Sequence, residues 1–170
     1  MKKIVMTLGI LIFLSGCATK PLNINPIQNF DVNKYMGRWY EIARIDSFLK
    51  DGMDYVYSDY HLDKDGTISV LSSGLKAGDS TREYVEGEAD LAKGRKTGFL
   101  EISFIRPFYS DYIVFKVDGD YQYSYVGGSD KNHIWLFSKT PTVPEDIRED
   151  FLARANSLGY DVTKLVWVQQ

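Results

Sequence analysis

The 170-residue chain has a single cysteine, Cys17, so no disulfide can close within it and its fold rests on the core alone. Basic clusters are also missing. After Lys2-Lys3 no Lys/Arg run of the kind that grips phosphate backbones appears, and the formal net charge is −3, which excludes nucleic acid as a partner. The two histidines, His61 and His133, have no metal-ligand spacing with each other or with carboxylates. No Ser-His-Asp grouping stands out, so no cofactor is expected and an enzyme is the weak reading. No apolar run reaches the ~20 residues that span a bilayer; Ile4 to Leu14 is too short. What is abundant is aromatic side chains, with 12 Tyr and 9 Phe, which favour strands. With 44% hydrophobic and 25% charged residues, the composition is that of one ordinary globular domain.

The place of Cys17 gives it meaning. Met1-Lys2-Lys3 is a short positive region, the apolar run follows, and Leu14-Ser15-Gly16-Cys17 closes it. This resembles a bacterial lipoprotein signal, which implies cleavage of residues 1–16 and acylation of Cys17. The alternative is an ordinary signal peptide with an incidental thiol. Several acyl chains on one cysteine anchor stably, where one chain does not. The resemblance, with Ala18 rather than an aspartate next, implies transport to the outer membrane, facing the periplasm. Loss of Lys2 and Lys3 takes the formal charge from −3 to about −5. Residues 17–29, polar and carrying Pro21 and Pro26, read as a lipidated tether, or alternatively as an ordered arm across the barrel mouth or floor.

The domain proper, residues 30–170, is organised around Gly37-Arg38-Trp39-Tyr40-Glu41-Ile42-Ala43-Arg44. Strict alternation places Trp39, Glu41, Ala43 and Ile45 on one face and Tyr40, Ile42 and Arg44 on the other. A large indole there suits the closed end of a barrel, although Trp39 is equally a plain core residue on this stretch alone. Asp31 is an N-cap candidate for one helical turn before the strand. Seven more strands follow: Asp54–Leu62, Thr67–Ser73, Thr81–Leu91, Phe99–Ile105, Tyr112–Val117, Tyr121–Val126 and His133–Ser138, with loops at Gly74–Ser80 and Pro107-Phe108-Tyr109. Such spacing predicts an all-β, eight-stranded antiparallel up-and-down barrel, a size that holds side chains or one small ligand. A helix is expected after Thr142 as N-cap, with Pro144 in its first turn and Gly159 as its stop. Ile147, Phe151, Leu152, Ala155 and Leu158 give it one apolar face, so it packs outside the barrel. Val162–Val168 reads as a short final strand.

This order of elements resembles the lipocalin family. Three motifs carry the likeness: Gly37-Arg38-Trp39, Asp120-Tyr121, and Trp135-Leu136-Phe137-Ser138-Lys139-Thr140-Pro141. The Trp39-to-Arg44 run, the terminal Trp167-Val168-Gln169-Gln170 and the lipobox are most similar to the family's bacterial outer-membrane branch. That likeness implies binding, storage or transport of small hydrophobic ligands, in this branch fatty acids or lysophospholipids. Where the family usually has arginine stacked on the first-strand tryptophan, this chain has Lys139, which keeps a cation–π contact with Trp39 but lacks the planar stack.

Within that frame Trp39, Val56, Tyr60, Val70, Leu100, Ile102, Phe104 and Tyr112 are the expected lining of the calyx, and Trp39 with Lys139 its closed-end latch. Glu41, if inward, must be paired or protonated, by a barrel arginine or a ligand headgroup. Phe48, Leu49, Phe108 and Tyr109 are loop residues that rim the mouth or pack locally. The rival reading is a lipid-anchored interaction or scaffold module with a filled barrel; Ser72, Gly87 and Ala89, being small, speak against it. A homodimer stays open as a partner.

Overall fold

A computed structural model describes residues 22–45, 52–76 and 78–170. The residues expected to carry the signal and the lipid (1–16 and Cys17), and the rim residues Phe48 and Leu49, lie outside that set. The chain runs as a short helix α1 (Val32–Tyr35), eight strands, helix α2 (Glu145–Ser157), a 3-10 turn (Val162–Lys164) and a short strand β9 (Leu165–Trp167). The eight are β1 (Gly37–Ile45), β2 (Met53–Leu62), β3 (Ile68–Lys76), β4 (Arg82–Leu91), β5 (Phe99–Ile105), β6 (Phe108–Val117), β7 (Tyr123–Gly127) and β8 (Ile134–Ser138). Each pairs antiparallel with the next, β8 pairs with β1, and β1 pairs with β2 from Gly37↔Tyr60 to Tyr40↔Tyr57, so the sheet closes on itself and leaves no edge. Strand β9 adds to β1 outside the closed ring.

Several boundaries move for physical reasons. Strand β3 runs on to Lys76 because Gly74 and Leu75 continue their ladder with β4. Strand β6 begins at Phe108, so Phe108 and Tyr109 belong to a strand rather than an apolar loop. Helix α2 is capped by Pro144 with no side-chain bond, not by Thr142, whose carbonyl instead accepts from Thr140 Oγ1. Gly159, at φ +84°, ends it as expected, with Leu158, Gly159 and Tyr160 amides folding back on Arg154, Asn156 and Ala155 carbonyls. The expected strand Val162–Val168 is split, because Asp161 caps a 3-10 turn before pairing with β1 can start.

The strict alternation expected for β1 also fails, at one point. A bulge between Glu41 and Ala43 puts two residues opposite one in β8, so the faces swap beyond it. Trp39, Glu41 and Arg44 therefore turn into the barrel, while Ile42, Ala43 and Ile45 turn outward into a second core under α2. That outer core holds Tyr125, Leu136, Phe151 and Ala155. The inner core, at one end of the barrel, joins Phe30, Tyr35, Trp39, Val70, Leu100 and Val114.

Residues 22–30 are not a free tether. They lie along the outer wall as an ordered strap: Ile27 N donates to Val114 O at 2.9 Å, Gly98 N to Ile27 O at 2.9 Å, and Phe30 N to Lys96 O at 2.9 Å. Ile24 is buried against β7. The polar composition that suggested a linker hid three apolar anchors, Ile24, Ile27 and Phe30, at intervals of three.

Candidate functional site

One end of the barrel is closed. Helix α1 lies across it, capped by Asp31, whose carboxylate accepts from Asn33 N (3.0 Å) and Lys34 N (3.4 Å). Trp39 is fully buried beneath, its Nε1 donating to Tyr35 O at 2.6 Å. Lys139 comes in from β8 with its ammonium 4.1 Å from the Trp39 ring centroid and donates to Met36 O at 2.7 Å. Burial pushes its pKa down to about 8, against a small upward pull from Asp59. The lysine thus ties helix to barrel through carbonyls as well as through the indole.

Above this plug lies a cavity of about 380 Å³, toward the small end of the range of roughly 300–1,000 Å³ typical of small-molecule sites. Of the expected lining, Val56, Tyr60, Ile102, Phe104 and Tyr112 form its walls. Trp39, Val70 and Leu100 do not; they belong to the packed end of the inner core. Alternation marked them correctly as inward but carries no information on height along the barrel axis. Sequence reasoning also missed other wall residues, among them Met53, Val85, His133, Trp135 and Phe137.

The cavity floor is polar. Tyr112 OH lies 2.8 Å from Tyr35 OH and 3.2 Å from Tyr60 OH, and Tyr35 OH reaches Ser124 Oγ at 3.1 Å. Burial raises the pKa of all three phenols, that of Tyr35 to about 12, so the floor is a neutral chain of hydroxyls. Higher up, Ser58 donates to Ser72 at 3.1 Å. Glu41, fully buried, pairs with Arg44 at 3.0 Å, and Arg44 also donates to Met53 O at 3.1 Å. This is the barrel-arginine partner expected for Glu41, brought about by the bulge. Gln170 Nε2 then bonds Glu41 O and Val56 O, each at 2.7 Å, where β1 and β2 part.

Among the described residues the cavity walls carry one carboxylate, Glu83, and one imidazole, His133, and no Lys or Arg. His133 Nδ1 is 2.7 Å from Asp130 Oδ1. Among the described residues no group of three or more His, Cys, Asp or Glu is placed to hold a metal ion.

Comparison with known proteins decides the family. Residues 30–170 match the model of the lipocalin-like domain. The chain is a lipocalin. Residues 1–18 match a prokaryotic membrane lipoprotein lipid attachment site. This lipocalin is 37% identical over 160 residues to an outer membrane lipoprotein Blc of Vibrio cholerae, covering 94% of each chain. It is 34% identical over 164 residues to the Blc of Escherichia coli K12, covering 96% of this chain and 93% of that one. In fold it is similar to insecticyanin of the tobacco hornworm, with a TM-score of 0.69, 22% identity and coverage of 87% and 85%. It is a lipid-anchored outer-membrane lipocalin, from a family that binds and transports small hydrophobic ligands.

Proposed function

We propose that this lipocalin holds one acyl lipid in the cavity, a lysophospholipid ahead of a free fatty acid, for storage or transport on the periplasmic side of the outer membrane. The observation that carries this reading is the cavity itself, open in a barrel of a size that could equally have been filled. An acyl chain burying ~15 methylenes gains ~12 kcal/mol; association costs of at least ~4 kcal/mol leave at most about 8 kcal/mol, a complex of micromolar affinity at its tightest. The order of headgroups follows from charge. A free fatty acid carries a net negative charge that Glu83 repels, with no cation among the described wall residues to offset it, whereas a zwitterionic lysophospholipid is neutral overall, its ammonium attracted to Glu83 and offsetting the repulsion of its phosphate. Cys17 is the residue that carries the anchor. The measurement is mass spectrometry of lipid extracted from protein purified from membranes. Close to one lysophospholipid per chain is expected; extracts with no acyl lipid above a tag-matched control would contradict the reading.

A further inference from the structure

The barrel is polarised along its axis. The hairpins at the closed end expose charge: Lys64 and Asp65 between β2 and β3, Lys93, Arg95 and Lys96 between β4 and β5, and Asp120 between β6 and β7. The opposite end exposes charge too, at Lys76, Asp79, Asp130 and Lys131 in its hairpins, but it also exposes large apolar groups. Phe108 is 74% and Ile105 59% exposed, with Tyr84, Val85 and Tyr109 beside them. Phe108, Ile105 and Val85 also line the cavity, so this apolar rim continues directly into the mouth. Arg106, between Ile105 and Phe108 in sequence, is tied sideways to Glu88 and leaves the tip uncovered. Leaving side chains of this size in water forgoes the gain of burying them, and a contiguous patch of them marks a contact surface.

The strap indicates what covers it. Running backwards from Phe30 at the closed end, the chain climbs the outer wall through Ile27, beside Val114, to Ile24. Ile24 lies against Gly127, the last residue of β7, and the loop that follows leads to the cavity-lining His133. Followed from Phe30 to Ile24, the described strap therefore runs from the closed end toward the end of β7 that leads to the mouth. From Leu22 only five residues lead back to Cys17, a reach of ~17 Å at most.

We infer that the mouth rim, with Phe108 and Ile105 at its tip, docks on the bilayer that holds the anchor, so that the cavity opens into lipid rather than into water. The inference rests on lipid anchoring and not on the cavity's contents, and it assigns a lipid surface, rather than a second copy of the chain, to the exposed patch. A ligand then passes between bilayer and cavity without crossing the aqueous phase, and the anchor sets the orientation that permits it.

The test uses the full lipidated chain in vesicles of phosphatidylethanolamine and phosphatidylglycerol. Phe108→Cys and Asp65→Cys each carry an environment-sensitive dye, and the vesicles carry a nitroxide on their acyl chains. The unsubstituted chain, treated with the same dye, is the blank. The dye at 108 is expected to shift to the blue and lose at least half its emission to the nitroxide, with the dye at 65 unchanged. Quenching at 65 alone would put the closed end on the membrane. Quenching at neither would leave the barrel hanging free. A blue shift at 108 without quenching would assign the rim to a second copy. Each of these three results overturns the inference. The readout is taken on protein that keeps its Cys17 anchor but is freed of any cavity-bound lipid before reconstitution, and it does not depend on whether the cavity is filled, so failure of the lipid-carrier proposal would leave it untouched.

Discussion

Replacing Lys139 by arginine tests the closed-end latch through its dependence on pH. The lysine ammonium is half-buried over Trp39, with its pKa brought down to about 8 from 10.5 by desolvation. Because the folded value lies below the unfolded one, the unfolded chain holds more proton between them, and the stability due to this group rises with pH from about 8 to about 10.5. Arginine does not titrate there and lacks this rise. Unscreened, the effect from pH 8 to 10 is about 2.2 kcal/mol; solvent reaching a half-buried group cuts it to about 1 kcal/mol. In a domain of this size that is a shift in Tm of roughly 2–4 °C. Near pH 7 the guanidinium stacks on Trp39 and still reaches the Met36 carbonyl, so Lys139→Arg is expected to match or exceed the parent. The buried tyrosines, whose raised pKa values cost stability only above about pH 10, are common to both proteins and cancel. Differential scanning calorimetry of the pair from pH 7 to 10 should show the parent gaining on the variant by those few degrees. A difference flat with pH, or a fall of several degrees in the variant at pH 7, would refute the latch as described.

Three further expectations concern the inside wall and the strap. Arg44→Met removes the guanidinium from buried Glu41 and should cost about 3–5 kcal/mol by urea unfolding, while Glu41→Leu combined with Arg44→Met should cost less than Arg44→Met alone. Gln170→Ala strips the shared donor from the Glu41 and Val56 carbonyls and should lower stability by ~1–2 kcal/mol in the same assay. At Gly98 a new Cβ would lie 2.8 Å from both Val114 O and Ile27 Cγ1, so Gly98→Ala should lift the strap and speed amide hydrogen exchange at Ile27 at least tenfold, with β3 and β4 unaffected.

Much of this architecture was legible in the sequence because it follows from local pattern. The eight strands, their inward faces on β2 to β5 and the outer helix came from alternation and turn residues, whereas the Trp39–Lys139 contact was implied only by the resemblance to the family. What was not legible depends on pairing between distant segments. The bulge at Glu41–Ala43 belongs to the pairing of β1 with β8, and by swapping the faces it turns Arg44 inward beside Glu41. The depth of Trp39, Val70 and Leu100 depends on strand stagger, which alternation does not encode. An ordered arm was one of the two readings of this stretch, but its course was not legible, because its hydrogen-bond partners lie near Gly98 and Val114, some seventy to ninety residues away. The aromatic rim was visible in sequence at Phe108 and Tyr109, but the membrane role inferred for it draws on the course of the strap, which only the structure shows.

Central to this account is a cavity that takes one acyl lipid. The most direct measurement is native mass spectrometry of the delipidated protein offered a lysophospholipid, a fatty acid and, as a control of similar bulk, haem. Val85→Trp, which puts an indole across the cavity wall near the mouth, is run alongside. A saturable one-to-one complex is predicted, with the lysophospholipid retained to higher collision energy than the fatty acid, no retained haem, and loss of the lipid complex in Val85→Trp. A folded protein that retains no acyl lipid, or a variant that retains it equally well, would contradict the account.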